Sequence, residues 1–181
     1  MEKLKNALHF VIHYAQSKRL DLGGVKLLKI IVFSDISSFY HRGRVITGAK
    51  IVKAQNGPVP HGHQEALEAL GAEGKIRITR GDRRQFEPTK FESLASPDIR
   101  GFEADELVIM GDLAYEFCSR YSAIALSNLT HNHSWAIADL GDEIPLASYL
   151  GRRIDSTPED MADIVAELKA AGLDGEIAIE A

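Results

Sequence analysis

The stretch that decides the fold is VKLLKIIVFSDISSFYH, residues 25–41. Its apolar residues fall on nearly every side of the helix that it would form. A helix that is apolar on most sides is usually buried on most sides. We therefore expect this helix at the centre of the core. Its apolar residues are Leu27, Leu28, Ile30, Ile31, Val32, Phe33, Ile36, Phe39 and Tyr40.

Further helices are predicted on both sides of this stretch. Residues 3–18 carry apolar side chains at helical spacing, which indicates an amphipathic helix. Gly43 follows the central helix and suits a left-handed C-terminal cap, and Ser122 can cap a later helix. The other predicted helices cover residues 61–70, 104–120, 123–130, 135–140 and 158–171.

The β structure predicted from the sequence is small. Residues 75–79 alternate polar and apolar side chains, turn chemistry follows at 81–83, and 85–87 would return as the second strand of a hairpin. Residues 51–54 are expected to be extended, and 56–60 to form a turn. The predicted fold class is therefore mainly α (α+β), a compact helical domain with a small antiparallel β-hairpin. We expect that domain at 1–150, followed by a C-terminal helix and loose tail at 151–181.

Composition and charge restrict the class of protein. The chain has 181 residues and a single cysteine, Cys118, so an internal disulfide is impossible and a cytoplasmic location is expected. Its most apolar run, Leu27–Phe33, is far shorter than the roughly 20 residues that span a bilayer. Net charge is +7 over 1–60, +1 over 61–90 and −13 over 91–181. These halves either attract each other within one fold or present charge to a partner.

A search for catalytic chemistry finds little. The sequence contains neither a GxSxG nucleophile elbow nor a phosphate-binding glycine loop, so no catalytic residue, cofactor or metal is predicted. One alternative is a small metal-dependent hydrolase that uses His61, His63 and His131. Another is a nucleic-acid-binding protein that uses the basic hairpin 75–90, although its supply of stacking aromatic residues is small and we consider nucleic acid the weaker partner. Asp35 in the central helix should be held by a hydrogen bond or by an ion pair to Arg42 or Arg44.

Four ordered motifs carry a resemblance to a known family. They are KLLKIIVFSD at 26–35, GRVITG at 43–48, NGPVP at 56–60 and LSNLTHNHSW at 126–135. In order and spacing they resemble the SocA-like Panacea domain (DUF4065). Some members of that family are phage-associated. The chain departs from the family pattern at Val32, Val45, Ala49 and Ser134.

The resemblance implies an antitoxin that neutralises a cognate protein toxin by binding it, in some members as an adaptor that delivers the toxin to the ClpXP protease. It implies no catalytic residues and no cofactor. We expect Trp135 to be either a core anchor or an interface residue. The motif residues with an expected structural role are Asp35, Gly43, Thr47, Thr130 and His131. The candidate partner-binding residues are Asn56, Gly57, Pro58, Val59, Pro60, His61, Arg80, Arg83, Arg84 and Trp135.

Overall fold

A computed structural model of the chain describes residues 1–81, 88–131 and 133–149. The predicted helix 158–171, the predicted segment 151–181, and Arg83 and Arg84 lie outside the described residues. The helices are α1 Glu2–Ser17, α2 Gly24–Arg42, α3 His63–Ala72, α4 Ala104–Arg120, α5 Ala123–Leu129 and α6 His133–Ile137. The strands are β1 Ile51–Ala54, β2 Gly57–Pro60, β3 Ile76–Thr79 and β4 Lys90–Ser93. The mainly helical fold class is confirmed.

Helix α2 lies at the centre of the core, as its sequence predicts. It packs against α1, α4, α5 and β2, and Leu27, Ile30 and Ile31 are completely buried. A second, smaller cluster lies beside it. Val32 of α2, Ile51 of β1 and Ile144 form that cluster, and Trp135 packs against it. Helix α2 therefore supplies apolar side chains to both clusters.

The helix ends follow local chemistry. Gly43 ends α2 with φ of +70°, the left-handed cap predicted from the sequence. The Ser122 hydroxyl accepts the N–H of Ala125 at 3.1 Å and so caps α5 as predicted. Helix α4 begins with a capping box between Glu103 and Glu106. These caps fix where the chain leaves each helix and therefore where the loops lie.

Strands β1 and β2 pair antiparallel, with Ala54 opposite Gly57 and Ile51 opposite Pro60. The prediction that all of 56–60 forms a turn is wrong, because only Gln55 and Asn56 turn and the rest is strand. Proline lacks an N–H donor, but a two-stranded ladder consists of edge strands and tolerates it. This hairpin carries one of the four motifs.

The second hairpin is the one predicted from the sequence, and its strands β3 and β4 pair with Ile76 opposite Ser93 and Thr79 opposite Lys90. The predicted return strand at 85–87 lies outside the described residues, and the described return strand begins later, at Lys90. The Gln16 side chain of α1 explains its position. Its amide donates to the Ser93 carbonyl at 3.1 Å and accepts the Ser93 N–H at 2.7 Å.

Ion pairs join the basic and acidic parts of the sequence within one fold. They connect Lys3 with Glu106, Lys50 with Glu143, and both Arg42 and Arg44 with Glu103. Within the described residues, these pairs agree with the interpretation that the two halves attract each other. None of the described helices is long and apolar enough to cross a membrane.

Candidate functional site

The first two motifs meet at Asp35, which is 2 % exposed on α2. Its carboxylate accepts the N–H groups of Ile46 and Thr47, each at 2.7 Å, and also the Thr47 hydroxyl. The Thr47 hydroxyl oxygen in turn accepts the N–H of Ala49 at 3.1 Å. Burial raises the pKa of Asp35, and the hydrogen bonds from Thr47 and Ile46 act against that rise. Asp35 thus holds the 43–49 segment onto α2.

The expected hydrogen bonding of Asp35 is confirmed, but the suggested arginine partners are wrong. Arg42 and Arg44 pair with Glu103 at the start of α4 instead. The sequence could not show whether Asp35 or Glu103 pairs with these arginines. Glu103 lies about sixty residues away, and its position depends on how α4 packs on α2. Three donors converge on Asp35, and none of the described cations forms an ion pair with it; hydrogen bonds thus accommodate the buried carboxylate.

The other two motifs meet at Gly57, where Lys29 of α2 also lies. The Lys29 ammonium donates to the Pro58 carbonyl at 2.9 Å. Gly57 has φ of +94°, and a Cβ added there would overlap Lys29 Nζ. It would also lie 2.8 Å from Thr130 Oγ1 and 3.1 Å from His131 Nε2. Side chains from α2 and from the end of α5 therefore converge on a backbone position that only glycine fits.

Lys29 is the most unusual group in this cluster. It is 1 % exposed, and none of the described carboxylates forms an ion pair with it. Burial lowers its pKa to about 7. An amine with that pKa could act as a base or nucleophile, but the side chain is closed to a substrate in this structure. Its observed role is to hold the β1–β2 hairpin against α2.

The rim of the cluster is built by α5, α6 and the hairpin turn. The Ser127 hydroxyl donates to the Asn56 carbonyl at 3.0 Å, and the Thr130 hydroxyl reaches back to the Ser127 carbonyl at 2.7 Å. The His131 ring stacks on Trp135 with centroids 3.7 Å apart and planes 6° apart. Burial, together with the nearby charges of Lys29 and Lys53, lowers the pKa of His131. The neutral ring is thereby favoured for stacking.

Lys53 completes this arrangement from β1. Its ammonium lies 4.5 Å from the centroid of the Trp135 ring. It also donates to the Ala138 carbonyl at 2.8 Å, just past the end of α6. A cation at a helix C-terminus satisfies otherwise unpaired carbonyl groups. Trp135 is thus held half-buried, between the small apolar cluster on one side and the His131 and Lys53 contacts.

Exposed apolar side chains lie on the same two short helices and the loop after them. Leu129 is 58 % exposed, Ile137 72 % and Leu140 71 %. Asn56 and His131 are exposed as well. We call the group of Asn56, Leu129, His131, Trp135 and Ile137, which lie on the hairpin turn, on α5 and α6 and between these two helices, the motif face. Exposed apolar side chains and tryptophan are both common at protein-binding surfaces.

The structure separates several predicted site residues from this face. His61 is exposed and His63 contacts the Pro60 carbonyl at 2.8 Å through Nδ1, at the start of α3. Among the described residues no group of three histidine, cysteine or acidic side chains could hold a metal ion. The hydrolase alternative therefore lacks the histidine cluster that it requires, within these residues. Arg80 is exposed at the end of β3, in the other hairpin.

Reasoning from the sequence missed Lys29, Lys53 and Ser127 as parts of the site. Lys29 carried a usable signal, because a lysine in a helix that is apolar on every side must be buried and needs an acceptor. The same argument was applied to Asp35. Lys53 and Ser127 carried no comparable signal, since a lysine in a short strand and a serine in a helix are ordinary surface residues.

A comparison with known protein families matches the part of the chain that carries the four motifs. A family model described as "Antitoxin SocA-like, Panacea domain" matches residues 27–136. That range extends from the first turn of α2 to the residue after Trp135. It therefore contains the contacts at Asp35, the contacts at Gly57 and most of the motif face. No curated protein and no solved structure is significantly similar to this chain.

Proposed function

The chain belongs to the antitoxin SocA-like Panacea domain family, and on that premise we propose that it neutralises a cognate protein toxin by binding it through the motif face. The observation that carries the choice of surface is the convergence at Gly57. Two motifs some seventy residues apart in sequence meet there, and Lys29 holds the hairpin that carries one of them against the central helix. The resulting face is rigid and partly apolar.

Rigidity favours such a role for a physical reason. A surface that is already ordered loses little conformational entropy when a partner binds. The stacked His131 and Trp135 rings and the capped end of α6 hold their positions without a partner. Leu129 and Ile137 add apolar area that a toxin would remove from water, at about 25 cal/mol per Å². A buried tryptophan with apolar neighbours is a common energetic centre of interfaces.

The test begins with the toxin. The open reading frame adjacent to the gene is expressed alone and then together with this protein, and growth and co-purification are measured. We expect growth arrest by the neighbour and restoration by this protein. If the neighbour is harmless, or if its toxicity persists without any complex forming, the antitoxin proposal for this pair is wrong.

Matched surface variants then test the motif face. Ile137→Asp places a charge on the face, and Val108→Asp places the same charge on α4, where the side chain is 59 % exposed. We expect Ile137→Asp to lose both rescue and co-purification, while Val108→Asp keeps them. Equal behaviour of the two variants, with both folded by circular dichroism, would assign binding to another surface and leave the antitoxin role standing.

Neutralisation can proceed by occlusion alone or by delivery of the toxin to the ClpXP protease, the mode that the family resemblance implies for some members. The two modes differ in the fate of the toxin. Occlusion predicts an unchanged toxin half-life and full rescue in cells without ClpX. Delivery predicts a shortened half-life and loss of rescue in those cells, and a pulse-chase of tagged toxin distinguishes them.

A further inference from the structure

A cleft unrelated to the motif face lies where the end of α1, the loop to α2 and strand β4 meet. It is an open surface cleft with a volume of about 370 Å³. Ile12, Leu20, Leu22 and Phe91 supply its apolar lining. A smaller depression of about 140 Å³ shares Lys90 with it and extends the surface toward Thr79 and Arg80. None of these residues belongs to the motif face.

Three cations line these two depressions, namely Arg19, Arg80 and Lys90. All three are exposed, and no described carboxylate lies within 4.0 Å of their charged groups. Other cations of the same hairpin behave differently, since Lys75 pairs with Glu73 and Arg77 pairs with Glu92. Three cations that form no ion pair with a described carboxylate thus lie at the two depressions.

Arg19 holds an unfavourable backbone conformation at the cleft edge. Its φ is +55°, and no other non-glycine residue in the described ranges has a positive φ. The N–H of Arg19 donates to Gln16 and that of Leu20 to Ala15, which together form a Schellman motif. Glycine is the residue that this position prefers, as Gly43 illustrates at the end of α2.

Local stability therefore does not explain an arginine here. The residue holds a strained conformation where glycine would fit without strain, and it lines the cleft. Backbone strain of this kind concentrates at functional positions. A glycine at this position would lack the guanidinium. We therefore infer that the charge of the guanidinium is the reason for an arginine here.

The walls of the cleft are fixed before any ligand binds. The Gln16 amide bonds to both backbone groups of Ser93 and so ties β4 to α1. A β-bridge between Gly23 and Lys90 ties the loop before α2 to the same strand. A preformed cleft spares the ligand the cost of ordering it.

We propose that this cleft binds an acidic peptide segment of a partner protein, with carboxylates placed on either side of an apolar side chain. The apolar side chain would cover Leu20, Leu22 and Phe91, and the carboxylates would contact Arg19 and Lys90. Asp21 is the one acid that lines the cleft, so the local field favours an anion.

Nucleic acid fits these observations less well. Single strands bind through aromatic side chains on which bases stack, and Phe91 is the one aromatic residue lining the cleft. The chain also has a net charge of −5, which repels a polyanion at long range. A short acidic segment that contacts only the cleft experiences the local cations instead.

The experiment uses fluorescein-labelled ELEELE as the probe and fluorescence polarisation of the full-length chain as the readout. QLQQLQ removes its charge, ESEESE removes its apolar side chains, and labelled oligo-dT represents nucleic acid. We expect ELEELE to bind, and either change of the peptide to weaken binding by about tenfold. Added salt should weaken binding of ELEELE further.

The protein variants are Arg19→Gly and Lys90→Gln, with Arg100→Gln as the control. Arg100 pairs with Asp98 and has a side chain 89 % exposed, so its loss removes one charge away from the cleft. We expect each cleft variant to bind ELEELE about fivefold more weakly than the unsubstituted chain does. The control variant should bind with unchanged affinity. Because glycine suits the backbone at 19, Arg19→Gly should not lower the Tm.

That combination separates a binding role from a structural one, since Arg19→Gly should lose binding without losing stability. The proposal is overturned if ELEELE fails to bind even at about 1 mM. It is equally overturned if Arg19→Gly binds like Arg100→Gln, or if oligo-dT binds more tightly than ELEELE and responds to the cleft variants. The motif face is unchanged in all these variants, so none of these outcomes bears on toxin binding there.

Discussion

Replacing Gly57 with alanine is the sharpest perturbation of the junction between α2, the β1–β2 hairpin and the end of α5. The added methyl group would overlap the Lys29 ammonium and lie 2.8 Å from Thr130 Oγ1. The alanine would also have to keep φ near +94°. Lys29 is completely enclosed, so its ammonium can move away only by giving up its hydrogen bond to the Pro58 carbonyl.

The expected loss of stability can be worked out from three contributions. Positive φ costs an alanine roughly 1–2 kcal/mol. Separating the Lys29 ammonium from its buried acceptor costs about 1–3 kcal/mol. Alanine also reduces the conformational entropy of the unfolded chain, which raises the unfolding free energy by about 0.4–1 kcal/mol. The unfolding free energy should therefore fall by about 3 kcal/mol, which corresponds to a Tm lower by roughly 6–12 °C for a domain of this size.

Two other glycines separate these contributions in the same assay, thermal and urea unfolding followed by circular dichroism. Gly48 has φ of +69° and open space around its Cβ position, so Gly48→Ala reports the backbone cost alone. Gly71 lies in helix α3 with open space and no positive φ, so Gly71→Ala should raise stability by about 0.5–1 kcal/mol. Combining Gly57→Ala with Lys29→Met should recover part of the loss, because the ammonium is then absent.

The reasoning is refuted if Gly57→Ala costs no more than Gly48→Ala. That result would mean that Lys29 and Thr130 can move aside freely, and that the close approach at Gly57 does not hold the motifs together. A loss of similar size in the Lys29→Met background would instead assign the cost to Thr130 and the backbone.

Three further predictions concern the buried charges and the surface ion pairs. Because burial lowers the pKa of Lys29 to about 7 from 10.5, the unfolded chain binds more protons between those values, and stability should rise with pH across that range. Lys29→Met should lose that rise, and parallel Tm–pH curves would contradict the assignment. Asp35→Asn should lower the unfolding free energy by about 1–3 kcal/mol and Thr47→Val by less, and an unchanged urea midpoint would sink this account. Glu103→Gln should cost about 0.5 kcal/mol in low salt and nothing near 1 M NaCl, so a salt-independent loss would show another role.

The helices could be predicted because their signals are local. Apolar spacing located α1, α2 and α4 to within a residue or so, and Gly43 and Ser122 marked helix ends through chemistry that acts within one turn. The central position of α2 followed from the distribution of its apolar residues alone. None of these inferences required knowledge of a distant contact.

The strands and the site depended on distant contacts and were harder. Gly57–Pro60 contains two prolines and a glycine, so local chemistry favoured a turn, yet pairing with β1 makes it a strand. The partners of Arg42 and Arg44 were assigned wrongly for the same reason, since Glu103 approaches them only after α4 packs on α2. The sequence around an arginine does not show which distant carboxylate the fold will bring next to it.

Lys29 shows how a single buried cation can organise these distant segments. Burying an ammonium without a carboxylate is unfavourable, and the pKa lowered to about 7 expresses that cost. Its acceptor is a main-chain carbonyl of the hairpin, so the hydrogen bond forms only when β2 lies against α2 and Gly57 leaves room. The cost is thus offset in one arrangement of the hairpin, α2 and α5. Asn56 precedes Gly57 and His131 lies beside it, so we expect the positions of both to depend on this buried lysine.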